Sequence, residues 1–496
     1  MKLTMKKFAC FLLFLTTCLS AQINLHNQKH DELLVTNAMV VVGVGTPAEG
    51  PYDIHIKDGK IHAMSGSKDD AEIRNKGLQQ LDATGSYVLP GFINMHAHTM
   101  YTRAGIDMAQ PYQHYLWLAS GITTVRDLGS HTEVTLKEKK QSADGAIIAP
   151  RIFVYPGIWG NHSSEDLQKK IVDFKKQGAD GLKFGMMDKQ TFLTASKLAK
   201  KYNLPVANHV GVEDMNAWDN IEAGTTTIEH WYGVPDAALN GVQNFPPDMN
   251  YSNELHRFRY AGRLWREADL GKLDKVLDGL VEAGVAWDPT LVIYEASRDL
   301  QRAISSPWFK DYLHPGLEKF FQPNADSHGS FFWGWTSTDE VFWKNNYQIW
   351  FKALRDFADK GGIITTGEDG GYIYQLYGFG YLRELQLHQE AGFHPLEVLK
   401  HATVNSANVL GQGDHLGQVR IGYTADLVIV NGNPMEDLSV LWPRNIKPMT
   451  GDASTGGIEW TIKGGIPYHA PTMLKEVREM VKESRKDNQI NYLVTD

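Results

Sequence analysis

The sequence predicts an α/β chain in which a (β/α)8 TIM-like barrel carries a β-sandwich formed by the N- and C-terminal segments. Three observations predict it. From about residue 87 to residue 369, short apolar runs alternate with helix-like stretches. Several runs follow a glycine placed to close a helix: Gly121, Gly178, Gly224 and Gly284, each preceded by polar or small residues and followed by a β-rich phrase. Outside this region both ends read as short alternating strands with turn residues between them.

The elements follow in order. Residues 1–21 read as a secretory signal peptide: Lys2, Lys6 and Lys7 precede an apolar run from Phe8 to about Leu19, and Ser20 and Ala21 supply small residues for cleavage. The run is shorter than the ~20 residues that span a bilayer. Both cysteines, Cys10 and Cys18, fall there, so the mature chain has none and must rely on its core rather than on disulfides. Cys18 leaves lipidation as an alternative, although Thr17 is bulkier than the small residue expected before a lipidated cysteine. The reading is therefore an exported protein, periplasmic or secreted.

Residues 32–88 form the first half of the sandwich and 416–470 the second, with 89–415 as the barrel between them. The barrel strands are expected at Tyr87–His98, Gly121–Leu128, Arg151–Gly157, Gly178–Phe184, Leu204–Val210, Gly224–His230, Gly284–Val292 and Gly361–Asp369. Spacing widens after the sixth and seventh strands, giving insertions at about 231–283 and 293–360. These hold Trp231, Trp265, Trp308, Trp333, Trp335, Trp343 and Trp350. Most such rings are expected in the cores of the insertions, and a few along a substrate pocket. Residues 471–496 read as a charged helical tail.

Composition bounds the function. With 42% hydrophobic and 22% charged residues the chain is ordinary globular protein. The formal charge is −9 and becomes −12 once the three leader lysines are gone, which argues against nucleic acid. A small-molecule substrate is expected, with no membrane contact after cleavage. A homo-oligomer stays open.

The chemistry lies at the strand ends. His96 and His98 close the first strand, and alternate strand residues face the same way, so the two imidazoles can grip one metal. Lys183 ends the fourth strand, His209 the fifth, His230 the sixth and Asp369 the eighth. Strand C-termini of such a barrel converge on one face. Nitrogen and oxygen donors gathered there suit zinc or a similar divalent ion.

The phrases Pro90-Gly91-Phe92-Ile93-Asn94-Met95-His96-Ala97-His98, Gly121–Asp127, Ile228-Glu229-His230 and Ala425–Val430 carry a resemblance over roughly residues 32–470. They resemble the metal-dependent amidohydrolase superfamily, in the branch of imidazolonepropionase-like proteins and Xaa-Pro or Xaa-Arg dipeptidases. The resemblance implies two divalent ions: His96, His98 and Asp369 on one, His209 and His230 on the other, with Lys183 between them as a CO2-derived carbamate. It implies a metal-bridging hydroxide as nucleophile and Asp369 as general base. Glu368 is expected to be structural. His162, in Gly160-Asn161-His162, resembles a Gly-Gly-His phrase whose histidine approaches the substrate oxyanion, with Asn161 departing from the pattern. Tyr232 and Tyr101, which follow metal histidines, are further candidates for substrate contact. The implied activity is hydrolysis of C–N amide bonds in dipeptide-like, N-acyl amino acid or cyclic amide substrates. Lactones, esters and phosphotriesters are the alternative within the same chemistry, and a non-catalytic binding protein is the alternative outside it.

Overall fold

A computed structural model describes residues 24–489, apart from 67–73, 75, 211–214, 242–244, 248, 251–252, 326–328, 331, 445 and 447–455. The leader of residues 1–21, with Cys10 and Cys18, lies outside the described residues. Among the described residues no helix is long and apolar enough to cross a membrane.

The architecture is mixed α/β. Strands from the two ends of the chain share one eight-stranded sheet. Its order is Ile466–His469, Gly457–Lys463, Leu427–Asn431, Ser86–Pro90, Glu32–Val40, Glu49–Lys57 and Lys60–Gly66, with Gln79–Asp82 also on Glu32–Val40. The seam is antiparallel, Leu427–Asn431 against Ser86–Pro90, with Ile429 opposite Val88. One apolar cluster serves both contributions: Leu33, Val35, Ile54 and Ile61 pack with Leu427, Ile429, Trp460 and Ile462. Neither end could bury that face alone.

Between the two ends runs a set of parallel strands. Phe92–Ala97, Ile122–Leu128 and Arg151–Tyr155 pair in sequence. Gly157–Trp159, Leu182–Gly185, Val206–His209, Thr227–Glu229 and Ala286–Asp288 pair in a second series. Pro156 joins the two series, interrupting one continuous passage of chain where its ring leaves no N–H to donate. The expected first strand is also divided: Ser86–Pro90 belongs to the terminal sheet and Phe92–Ala97 to the parallel set. Gly91 sits at the break, and a Cβ there would overlap the side chain of Thr123.

The expected eighth strand, Gly361–Asp369, is not a regular strand. It makes a single parallel bridge, Trp287 to Ile364. It still closes the ring, because Thr365 donates to the Trp287 carbonyl at 3.0 Å, and Met95 and Asp369 donate to the carbonyls of Thr366 and His96 at 2.8 and 2.9 Å. Gly361 and Gly362 before it and Gly367 after it confine the β-branched run Ile363–Thr366 to four residues.

Helices return the chain between strands. Ser164–Gln177 and Ala217–Ala223 both end on a left-handed glycine, Gly178 at φ 93° and Gly224 at φ 66°, as the repeated phrase predicts. The insertions are helical, and Trp231, Trp265, Trp343 and Trp350 are fully buried in them, while Trp333 is exposed. The tail forms the helix Ala470–Asp487, whose Arg485 pairs with Glu318 at 2.7 Å.

Candidate metal centre

His96 is the penultimate residue of its strand, and His209 the last of its own; His98, His230 and Asp369 lie just beyond strand ends or bridges. All of them, with Lys183, line one cavity of about 970 Å3 of empty space, its mouth included. The imidazoles converge on a carboxylate. His98 Nε2 lies 3.0 Å from Asp369 Oδ1, His96 Nε2 3.7 Å from the same oxygen, and His230 Nε2 3.8 Å from Oδ2. The rings of His209 and His230 are 4.8 Å apart, and those of His96 and His230 4.7 Å.

Local backbone makes this possible. His230 has φ 62° and Asp369 φ 48°, both left-handed. Strand alternation would send Glu229 and His230 to opposite faces. The turn at His230 breaks that alternation, so both neighbours serve the same centre. Non-glycine residues held there cost of order 1–3 kcal/mol each, which the surrounding structure must offset.

A carboxylate fixes the tautomer of His96, and a hydroxyl orients the ring of His230. His96 Nδ1 donates to Glu229 Oε2 at 2.8 Å, and His230 Nδ1 lies 2.5 Å from Thr290 Oγ1. Each leaves Nε2 aimed at Asp369, the arrangement of a metal-ligating histidine. Glu229 is held in turn by Arg126, whose Nη2 lies 2.8 Å from Oε1 and 3.4 Å from Asp288. All three are fully buried. Sequence reasoning missed this Arg126–Glu229–Asp288 network. The signals were Glu229, inside the Ile228-Glu229-His230 phrase, and Arg126, inside the Gly121–Asp127 phrase.

The electrostatics suit cation binding. Burial acts to raise the Asp369 carboxyl, but His96, His98 and His230 outweigh it and hold it well below the usual carboxylate range. Burial pulls the His96 imidazolium down to about 4, aided by Lys183, so its ring is neutral at neutral pH. Burial likewise pulls the Lys183 ammonium down to about 8. Lys183 Nζ and His98 Nδ1 are buried with no hydrogen-bond partner. A buried amine lacking a partner is costly unless something else meets it. His96, His230 and Asp369 offer ligand atoms within 4.8 Å of one another. This donor set fits a divalent metal.

The other expected residues separate. Tyr232 lines the cavity, its ring 4.9 Å from that of His209. Tyr101 does not: its hydroxyl donates to Glu138 and lies 3.1 Å from His114 Nε2. His162 does not line the cavity either, and its Nε2 donates to the Trp159 carbonyl at 3.0 Å. Both therefore stand corrected as cavity residues in this structure. Side chains on the helices Pro111–Ala119 and Thr132–Ala143 hold Tyr101, and the loop's own carbonyl holds His162. Glu368 is structural in its contacts: its carboxylate accepts from Asn94, Trp117 and the backbone of Gly378 and Tyr381, while burial pushes it up to about 8.

Fold and site together define a mixed α/β chain with a buried histidine–carboxylate centre suited to a divalent ion. A sequence profile described as "Amidohydrolase family" matches residues 87–244 and 351–466, more than half of the chain, and the protein belongs to that family. Among solved structures, a Xaa-Pro dipeptidase with bound methionine aligns at TM-score 0.62 and 22% identity, covering 88% of this chain and all of that one. A bottromycin amidohydrolase aligns at TM-score 0.66 and 18% identity, over 94% of this chain and 93% of the other. A dihydroorotase of Solibacter usitatus is 23% identical over 250 residues, 47% of this chain. The chain spans 52%, about half, of that relative's length.

Proposed function

We propose that this protein hydrolyses C–N amide bonds with a binuclear metal centre set in a (β/α)8 barrel beside a β-sandwich. The observation that carries the reading is the convergence of His96, His98, Lys183, His209, His230 and Asp369 on one cavity. His96, His98 and Asp369 would hold one divalent ion, zinc by donor type, and His209 and His230 a second, with Lys183 between them as a carbamate. When bound, the ions supply Lewis acidity toward water and toward the scissile carbonyl.

The chain's own residues do the rest. Burial brings part of Lys183 to the neutral amine, the form that adds CO2: an N–C bond forms and one proton leaves. Asp369, kept ionised, accepts a proton from the attacking water and returns it to the leaving nitrogen. Glu229 and Thr290 hold the imidazoles so that this geometry is set before substrate arrives. Relatives named for a dipeptidase, an amidohydrolase and a dihydroorotase support a carbon–nitrogen bond, linear or cyclic, as the target.

The test is elemental analysis joined to a hydrolysis screen. Gently purified protein should carry about two equivalents of divalent metal. Loaded with zinc, it should cleave amides from a panel of dipeptides, N-acyl amino acids and cyclic amides. Full activity after exhaustive chelation, or turnover confined to lactones and esters, would overturn the proposal.

A further inference from the structure

Thr290, whose hydroxyl meets His230 Nδ1, is held in an uncommon shape. It lies two residues beyond the strand Ala286–Asp288, with φ 44° and ψ 50°. A β-branched side chain in this left-handed region is a genuine outlier. Such a residue persists only where its surroundings over-determine it. Thr290 is fully buried, so the constraint must come from the protein itself.

Glu384 supplies that constraint. Thr290 opens the 3-10 turn Leu291–Tyr294, whose first N–H groups have no acceptor inside the turn. The Leu291 N–H donates to Glu384 Oε1 at 2.9 Å and the Val292 N–H to Glu384 Oε2 at 2.7 Å. One carboxylate gripping two successive amides fixes the path of the chain directly after Thr290. The same turn brings Ile293 and Tyr294 to the cavity, with the Tyr294 ring 5.7 Å from that of His230.

Glu384 is itself braced. It sits fully buried on the helix Phe379–Glu390, whose start is held by the Glu368 carboxylate through the amides of Gly378 and Tyr381. His388, one turn further on, donates from Nε2 to Glu384 Oε1 at 3.1 Å, and its Nδ1 lies 3.1 Å from Nδ1 of His401. All three side chains are buried, and none of them lines the cavity.

We propose that Glu384 is a positioning residue of the metal centre: by fixing the turn Leu291–Tyr294 it holds Thr290 in its left-handed shape, and through the Thr290 hydroxyl it aims the His230 ring. This rests on the metal-hydrolase reading and adds to it a layer of support that touches neither metal nor substrate. The stretch of chain that leaves Asp369 thus reaches back, through one helix, to the turn that orients His230, so two candidate ligands are tied by a single passage of backbone.

Zinc affinity tests the proposal without turnover. Apoprotein of the parent, of Thr290→Val, of Glu384→Gln and of the double variant is titrated with zinc against a chromophoric chelator. Valine keeps the shape of Thr290 without its hydroxyl, and glutamine keeps the volume of Glu384 but turns a donor toward one of the donors it now accepts from. Losing an orienting partner of a ligating histidine costs ~10–100-fold in metal affinity, so Thr290→Val and Glu384→Gln should each weaken zinc about ten-fold or more. The double variant decides the route. Because Glu384 acts through the hydroxyl, the double variant should match Thr290→Val within about two-fold. Losses that multiply in the double variant would overturn the proposal. So would a Glu384→Gln protein of lowered thermal stability and parental zinc affinity, the outcome of a merely structural role. Should Glu384→Gln not fold, Glu384→Asp keeps the charge, shortens the reach, and carries the same expectation and the same refutation. A parent that binds no zinc would overturn the metal reading along with this one, whereas a parent and a Glu384→Gln variant that bind it equally would remove the positioning role alone.

Discussion

At the scale of single residues, Lys183 and Asp369 are both surrounded by histidines or buried beside them, yet they should fail differently. Lys183→Ala removes the amine between the two ligand sets, so metal content and activity should fall together, and added bicarbonate should not restore them. Asp369→Asn keeps the shape and one oxygen but removes the proton acceptor. General acid–base catalysis contributes ~10²–10⁴-fold, so the loss should appear in kcat. Metal content measured on the same sample separates lost chemistry from lost metal. A Lys183→Ala variant with normal metal and turnover would end the binuclear reading, and a fully active, fully loaded Asp369→Asn variant would move the base elsewhere. The residues of the candidate centre could be picked out in the sequence because each stands at or near the end of an apolar run, where a parallel strand stops, and they line one cavity. The support beneath them could not. Arg126, Glu229 and Asp288 sit on three different strands and look, one at a time, like ordinary polar residues. Only the closed ring shows that their charges offset one another. Tyr101 misled for a related reason: three residues past His98 the chain has already turned into the hairpin Thr102–Arg103 and Ile106–Asp107, and nearness in sequence no longer fixes direction.

At the scale of elements, the helix Pro315–Phe320 depends on a histidine in a particular protonation state. His314 is its N-cap, and its Nδ1 accepts from the Gly316 N–H at 3.1 Å, which requires the lone pair of the neutral ring. Burial, aided by Arg485, pulls this imidazolium from 6.5 down to about 4. The sign follows directly. Between those values the unfolded chain binds a proton that the folded chain refuses, so folding stability falls as pH drops from about 6.5 toward 4, by up to ~1.4 kcal/mol per pH unit. His314→Asn keeps a capping oxygen without a titrating ring. Thermal unfolding of this variant should therefore lose less stability than the parent between pH 7 and pH 5. Parallel curves for the two proteins would assign the acid sensitivity to other groups. The repeated glycine phrase made the parallel strands readable as elements, since Gly178 and Gly224 do end helices in the left-handed region. The last expected strand was overstated: its glycines fit the pattern, but only Ile364 forms a bridge.

At the scale of the whole molecule, one polar tie between the terminal sheet and the parallel strands is concentrated at Asp426. Arg151 Nη1, from a parallel strand, lies 2.5 Å from its carboxylate, and the Gly464 N–H donates to it at 2.7 Å. Asp426→Ala would leave Arg151 and that amide without their partner. Breaking a fully buried pair costs ~3–5 kcal/mol, and because Arg151 still reaches solvent about 2 kcal/mol is expected here. Thermal or denaturant unfolding should show that loss, while metal content and kcat per folded molecule stay at parental values, because none of the centre's ligands touches this tie. An Asp426→Ala protein of unchanged stability would show that this tie contributes nothing beyond the packing and the Thr461 and Lys463 contacts to Leu118, Ser142 and Ala149. That the two chain ends belong together was legible from their shared strand-and-turn style. The single pairing order through Ser86–Pro90 and Leu427–Asn431 was not, because register depends on partners hundreds of residues away.

That pairing also sets a timetable for the newborn chain. Ser86 Oγ donates to Asn431 Oδ1, 345 residues later. At ~5–20 residues per second of synthesis, the strand Ser86–Pro90 waits roughly 20–70 s for the neighbour that completes its ladder. Throughout that interval its apolar face and unpaired amides form an open edge, the kind that captures foreign strands. The sheet can close only after almost everything between its halves has been made, so its assembly is a late event of high contact order. A chain cut short before residue 427 would retain that edge permanently, and its fate would be decided by chaperones and proteases rather than by the stability of the metal centre.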